Sequence, residues 1–174
     1  MNEVLKALKE RRSIRSYKAD PVPQALMDEV IEAGLYAASG MGHQSTVILA
    51  VTDKEMIKKL SVFNAEIMGH TGTDPFYGAP AILIVLGNKK YPTYLYDGSL
   101  AMGNMMNAAH ALGLGTCWIH RAKEEFETEE YKSLLKELGV EGDYQGIGHC
   151  IVGYPDCDAP EAAPRKEGRV FWVK

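Results

Sequence analysis

The sequence predicts a single domain that mixes helices with short, apolar strands. The chain has 174 residues, 46% of them hydrophobic, which is enough for one sizeable core and gives no reason to expect a second. Segments with apolar residues at three- and four-residue spacing alternate with continuous apolar runs of strand length, and those two patterns are the signatures of surface helices and buried strands. No internal repeat interrupts this order, and the one biased stretch is the Ala/Pro/Glu-rich segment from Asp158 to Pro164. The expected domain therefore runs over residues 1–174.

The elements follow in order. Asn2 to Arg12 carries Val4, Leu5 and Leu8 between charges and reads as a short amphipathic helix. Asp20-Pro21-Val22-Pro23 turns the chain into a second helix, in which Leu26, Met27, Val30, Ile31 and Leu35 recur at helical spacing. Thr46 to Val51 reads as a strand, and Asp53 caps a following helix with Met56, Ile57 and Leu60. Ser61 to Tyr77 shows no clear period, and the expectation there is an irregular excursion ending at Pro80, of the kind that carries function. Ala81 to Leu86 is a second strand, and Asp97 to Leu112 a helix rich in small residues, stopped by Gly113 and Gly115. Thr116 to His120 is a third strand, Thr128 to Leu138 a helix closed by Gly139, and Ile147 to Tyr154 a fourth strand. Arg169 to Val173 returns to strand character at the end of a polar tail and needs a sheet edge, in its own chain or in a partner.

A net charge of -4 argues against nucleic acid or an anionic membrane as the main partner, because such binders carry a basic face. With no long apolar stretch, neither a signal peptide nor a membrane span is expected, and the cytosol is the simplest compartment. Cys117, Cys150 and Cys157 are an odd set, which speaks against a disulfide framework.

Against that background Arg11-Arg12-Ser13-Ile14-Arg15 stands out. Guanidinium forks match phosphate oxygens, and a serine hydroxyl fits between them. Pro164-Arg165-Lys166 is a second compact basic group near the other end of the chain. Together they point to a phosphorylated ligand. Gly40-Met41-Gly42-His43-Gln44-Ser45 is not a dinucleotide fingerprint, because a helix precedes it, a strand follows it and Ser replaces the third glycine. Cys117, His120, His149 and Cys150 do not suggest a metal site: on strands, residues one or three apart face opposite ways, and no Cys-x-x-Cys pair exists. His43 and His70 are candidate acid or base groups by residue type, whereas His110 sits inside the Ala-rich helix as a structural residue.

Several segments, in order and at these separations, resemble the nitroreductase family of FMN-dependent oxidoreductases. They are Arg11 to Tyr17, Ala38 to Ser45, Phe76-Tyr77-Gly78-Ala79-Pro80, Ala108 to Ile119, and Gly153-Tyr154-Pro155 with Pro164-Arg165-Lys166. The resemblance covers almost the whole chain and implies an α+β fold, with a central, mostly antiparallel sheet between helices. It also implies an intertwined homodimer with C-terminal strand exchange, the last strand pairing with the partner's sheet, and one FMN in a cleft at each end of the interface. By the same resemblance Arg11, Ser13 and Arg15 hold the FMN phosphate and ribityl chain, with Arg12 nearby and Arg165, beside Lys166, closing from the tail. Ser39, Gly40, Met41, Gly42 and Gln44 would reach the flavin from the other subunit, Gln44 by a hydrogen bond. The backbone of Leu114, Gly115, Thr116 and Cys117 would line the isoalloxazine edge. Many family members have Asn at the place of Gly42 and Pro-Trp at Ser45-Thr46, so here no side chain at position 42 can touch the ring.

The function implied is electron transfer from NADH or NADPH, through FMN, to a small organic acceptor such as a nitroaromatic or quinone, by a ping-pong mechanism. Because the cofactor supplies the redox chemistry, no catalytic side chain is assigned. His43, Phe63, His70, Phe76 and Tyr77 are the expected substrate contacts. A non-catalytic module that binds a flavin or another phosphorylated ligand, as sensor or carrier, would need the same arginines and stays open at this point.

Overall fold

In the computed structural model, which describes residues 2–174, four antiparallel strands form one sheet: β1 (Thr46–Val51), β2 (Ala81–Asn88), β3 (Gly115–Ile119) and β4 (Tyr144–Gly153). Their order across the sheet is β1-β2-β4-β3. The central strands β2 and β4 are buried on both faces over most of their length, which explains the unbroken apolar run from Ala81 to Leu86 in β2 and from Cys150 to Val152 in β4. Along β2, Ala81, Leu83 and Val85 point to one face and Ile82, Ile84 and Leu86 to the other, as the period of two requires.

Each face carries a helical layer. On the first, α2 (Gln24–Leu35) and α4 (Tyr94–Ala111) bury Met27, Val30, Met102, Met105 and Ala109 against Leu83, Val85 and Cys150. On the second, α3 (Lys54–Ile67), α5 (Ala122–Phe126) and α6 (Glu129–Glu137) bury Leu60, Phe126, Tyr131 and Leu135 against Ile82, Ile84 and Ile151. The N-terminal helix α1 (Glu3–Glu10) buries none of its residues and lies against α4. Close seating of α4 on the sheet depends on Gly98, since a Cβ there would stand 2.6 Å from Cγ1 of Ile147 in β4. No described helix is long and apolar enough to cross a membrane.

Beyond small shifts such as α4 beginning at Tyr94 and β2 running to Asn88, the structure departs from the sequence reading in four places. Ser61 to Ile67 is helical, not irregular, because α3 continues to Ile67 with Ser61, Asn64 and Ala65 on its buried face; two polar residues there had masked the period. The five-residue helix α5 was not expected. The fourth strand begins at Tyr144, where Gly146 lets the Ala122 carbonyl of α5 come against the strand and Gly148 does the same for the Trp118 ring. Finally, Arg169 to Val173 forms no strand in the single chain, and Val170, Phe171, Trp172 and Val173 stand in solvent.

Gly98→Ala should destabilise the fold by about 1–3 kcal/mol, because Ile147 is branched at Cβ and cannot swing its Cγ1 aside without leaving its rotamer. Urea unfolding measures this, and a midpoint unchanged from wild type would mean that α4 can shift freely on the sheet.

Candidate functional site

The basic segment owes its place to the edge of β3. Asn2 caps α1 by accepting the Val4 N–H at 2.9 Å, and the helix ends where the Arg11 N–H reaches the Ala7 carbonyl. From there the chain runs extended: Ser13 lies opposite Thr116 in parallel register, and the Ile14 N–H donates to the Thr116 carbonyl at 2.9 Å. Lys18 N–H then donates to Tyr154 and Asp156 N–H to Ser16, so the segment is sewn to the exit of β4 as well. Ile14 is the buried anchor, and Gly115 is bare because a Cβ there would lie 2.9 Å from that of Ile14. The Tyr17 hydroxyl donates to the Ile14 carbonyl at 2.7 Å, and burial pushes its pKa well up.

This stitching sorts the three arginines. Arg12 turns back on α1, its Nη1 donating to the Lys9 and Arg11 carbonyls at 2.8 Å each, so it serves the helix C-terminus. Arg15 is exposed, and Arg11 is half-buried with its Nη1 buried and unpartnered. The Thr116 hydroxyl, opposite Ser13, is also buried without a partner. A buried donor without an acceptor costs about 1–3 kcal/mol, and an anionic ligand at Ser13 would relieve that cost. These residues fit the phosphate end of FMN. Arg165 and Lys166 lie on the exposed tail, with Arg165 donating to the Ala163 carbonyl; the single chain does not bring them to Arg11 and Arg15.

Leu114, Gly115, Thr116 and Cys117 are all buried at the start of β3. The Leu114 N–H is taken by the Ala109 carbonyl at 2.8 Å, which removes it as a donor to a flavin edge. Because the Thr116 carbonyl points to Ile14, alternation along the strand turns the peptide groups of Trp118 to the same outer edge.

Ser39 to Ser45 forms a protruding loop around a short turn at Gly40–Gly42. Met41, Gly42 and Gln44 have φ of 52°, 68° and 48°, and the two non-glycine residues cost on the order of 1 kcal/mol each in that region. Met41, at the tip, is 93% exposed. The loop is held from below by Asp97, in the first turn of α4. One carboxylate oxygen accepts the Gly40 N–H at 3.0 Å, and the other accepts the hydroxyls of Ser45 at 2.7 Å and Thr93 at 3.1 Å. The Ser39 hydroxyl accepts the Gln44 N–H at 3.0 Å, and the His43 ring stacks on Tyr91.

The expected substrate residues scatter. Phe76 is fully buried against the His149 ring and cannot touch a substrate, while Phe63, half-buried on α3, packs on Tyr131. His70 and Tyr77 are exposed on the loop between α3 and β2, and His43 lies on the Ser39 to Ser45 loop. That first loop is organised by Asp74, a residue the sequence reading passed over. Its carboxylate accepts the Ser61 hydroxyl at 2.6 Å and the N–H groups of Phe76 and Gly78 at 2.9 and 2.7 Å. Between loop and helix lies a cavity of about 540 Å³, lined in part by Lys58, Ser61, Glu66, Thr73, Asp74 and Pro80. Pro80 also packs on Gly153, next to Tyr17, and Ala19 lines the cavity as well, which places it at the sheet end where the basic segment passes.

Sequence reasoning also missed a buried network under the sheet. The Glu125 carboxylate lies 2.7 Å from Nε2 of His149 and accepts the Asn64 side-chain amide at 3.0 Å, all three residues being inaccessible to solvent. The same amide donates to the His120 carbonyl, just before Arg121 turns at φ 82°. It fixes the exit of β3. Burial, helped by Glu125, pushes the neighbouring Tyr131 hydroxyl up to about 12. Nothing in the sequence singles out Glu125, but Asp74-Pro75 is a turn signal that could have identified Asp74.

Burial pushes the Asp97 carboxyl upward, but the hydrogen bonds from Ser45, Gly40 and Thr93, helped by His43, outweigh it and hold the group below its ordinary 3.8. A carboxylate so lowered stabilises the fold above that pH and loses its contribution as pH falls through the folded-state value. The stability gap between wild type and Asp97→Asn should therefore be widest above pH 3.8 and close below it. Urea midpoints taken between about pH 6 and pH 3 check this, and a gap that widened on acidification would contradict the assignment.

Comparison with known proteins agrees with this architecture. The nitroreductase family matches residues 8–154. A nitroreductase of Bacteroides fragilis, solved with bound FMN, is 29% identical with a TM-score of 0.89, and each chain is covered in full. An FMN-bound nitroreductase of Desulfitobacterium hafniense shares the fold at 24% identity and a TM-score of 0.86, again over the whole of both chains. FMN reductase [NAD(P)H] of Bacillus subtilis is 34% identical over 138 residues, 67% of this chain and 53% of that enzyme's length. The chain belongs to the nitroreductase family.

Proposed function

We propose that this chain is an FMN-dependent oxidoreductase, a homodimer that takes hydride from NADH or NADPH and passes electrons to a small organic acceptor such as a nitroaromatic or quinone. The observation that carries the reading is the basic segment fixed along β3, with a buried guanidinium N–H on Arg11 and a buried hydroxyl on Thr116 left without partners. FMN, when bound, supplies the hydride acceptor and donor chemistry. Arg11, Ser13 and Arg15 bind its phosphate end, and Ser39 to Gln44 of the second subunit cover the ring. Gly42 leaves space above it, since nothing lies within 4 Å of a Cβ built there. Lys58 and Ser61, which line the cavity beside α3, and the exposed Tyr77 of the loop that follows would border the approach for donor and acceptor, and no side chain need transfer a proton at the hydride step. FMN-bound relatives of this fold and a Bacillus subtilis relative named as an NAD(P)H-using FMN reductase support the assignment.

The dimer reading rests on apolar surface. Val4, Leu5 and Leu8 of α1, Leu35 and Tyr36 at the end of α2, and Tyr96 and Leu100 of α4 are exposed on three helices that pack on one another, and clustered apolar surface of this kind marks interaction sites. Gly103 faces open space there and admits a neighbouring helix. The tail from Arg169 to Val173 would pair with the partner's sheet along β1, the outer strand whose free edge no described segment of its own chain pairs with.

The purified protein should be yellow and bleach anaerobically on addition of NADH or NADPH, and initial rates against donor and acceptor should give parallel lines. A colourless protein, or a bound flavin that neither cofactor reduces, would leave only a binding module. In a second comparison, Arg15→Ala should weaken FMN binding by about 10-fold or more through loss of a charge-assisted contact, with the dimer intact. A chain ended at Pro164 should lose flavin and dimer together. Flavin titration beside sedimentation decides, and a truncated protein that stays dimeric would overturn the exchanged arm.

A further inference from the structure

We propose that Asp97 is a positioning residue for flavin binding in trans: its buried carboxylate locks the Ser39 to Ser45 loop in the shape that one subunit presents to its partner's cofactor. The proposal rests on the reading that this loop meets the flavin of the second subunit.

The loop needs such a lock. Met41, Gly42 and Gln44 all lie in left-handed conformations, and Met41 projects into solvent, so local preference and side-chain burial both favour relaxation. Apolar packing does not prevent it, because a cavity of about 130 Å³ lies behind the loop, lined by Ala37, Ser39, Gln44, Asp97 and Ala101 among others. What spans the gap is the carboxylate. It takes the Gly40 N–H at the start of the loop and the Ser45 hydroxyl at its end, while Thr93 ties the same oxygen to the base of α4. Both ends are thus fixed to one rigid helix through two oxygens of one side chain. No Lys or Arg among the described residues pairs with Asp97, so its charge is spent on these three donors. Gly40 belongs to the same device: a Cβ there would stand 2.8 Å from Cγ2 and 2.9 Å from Cβ of Thr93, and the loop would have to lift off the helix.

FMN titration of apoprotein, with the visible circular dichroism of the bound flavin, tests the assignment. Asp97→Ala and Gly40→Ala should each weaken FMN about 10-fold or more and change the flavin spectrum while helix content and dimer mass stay as in wild type. Asp97→Asn keeps an acceptor for Gly40 and a polar partner for Ser45, and should recover most of the lost affinity. Hybrid dimers of one Asp97→Ala and one Arg15→Ala subunit should carry one tightly held flavin per dimer, because an intact arginine segment then faces an intact loop. If Asp97→Ala does not fold, Gly40→Ala and its hybrid dimers carry the test with Asp97 in place. Wild-type affinity in Asp97→Ala or Gly40→Ala, failure of Asp97→Asn to recover, or hybrids without a tight flavin would each overturn the proposal. A wild-type protein that binds no FMN would instead overturn the reading on which it rests.

Discussion

The hydrogen bond from the Ile14 N–H to the Thr116 carbonyl joins the two halves of this molecule's chemistry. Edge strands leave a row of unpaired peptide groups, and here part of that row is occupied by the segment that carries Arg11, Ser13 and Arg15. The arginines therefore belong to a sheet edge and not to a mobile terminus. Ile14, seated against the bare face of Gly115, sets which side chains turn inward, and its neighbours Ser13 and Arg15 are left to face outward. The selection is local and physical: Arg12 is equally basic, yet its guanidinium closes the end of α1.

Two carboxylates hold two loops at opposite ends of the sheet. Asp74 gathers a hydroxyl and two N–H groups from α3 and the segment that follows it, and Asp97 gathers an N–H and two hydroxyls from the other loop and α4. In each case one short side chain satisfies three donors, among them backbone N–H groups that an irregular loop would otherwise leave unpaired. Rigid helices thereby fix the loops, which is what a site needs if its reacting partners are to meet in one geometry.

Much of the fold could be read from the sequence. Thr46 to Val51 is the strand that its apolar run predicted, and α2 carries its apolar stripe as the periodicity required. Asp53 caps its helix as expected. The reading failed where polar residues are buried. Ser61 and Asn64 sit on the inner face of α3, so the helix looked broken at the point where it only changes partners. Phe76 looked like a substrate contact because it stands in an irregular segment, but it is the anchor that seats that segment on His149. Asp97 is unremarkable as a letter in the sequence. Its role comes from a loop more than fifty residues away, and long-range contacts of that kind leave no local pattern. The arm from Arg169 to Val173 has strand composition but pairs with no strand in the single chain.

That arm has a thermodynamic consequence. Val170, Phe171, Trp172 and Val173 are 72% to 100% exposed in the lone chain, so whatever free energy their burial contributes is gained only on association. In a homodimer built on such arms, folding and assembly share one equilibrium, and stability depends on how much protein is present. Each tenfold dilution then removes about 1.4 kcal/mol per dimer. A melting temperature for such a protein has meaning only beside the concentration at which it was measured.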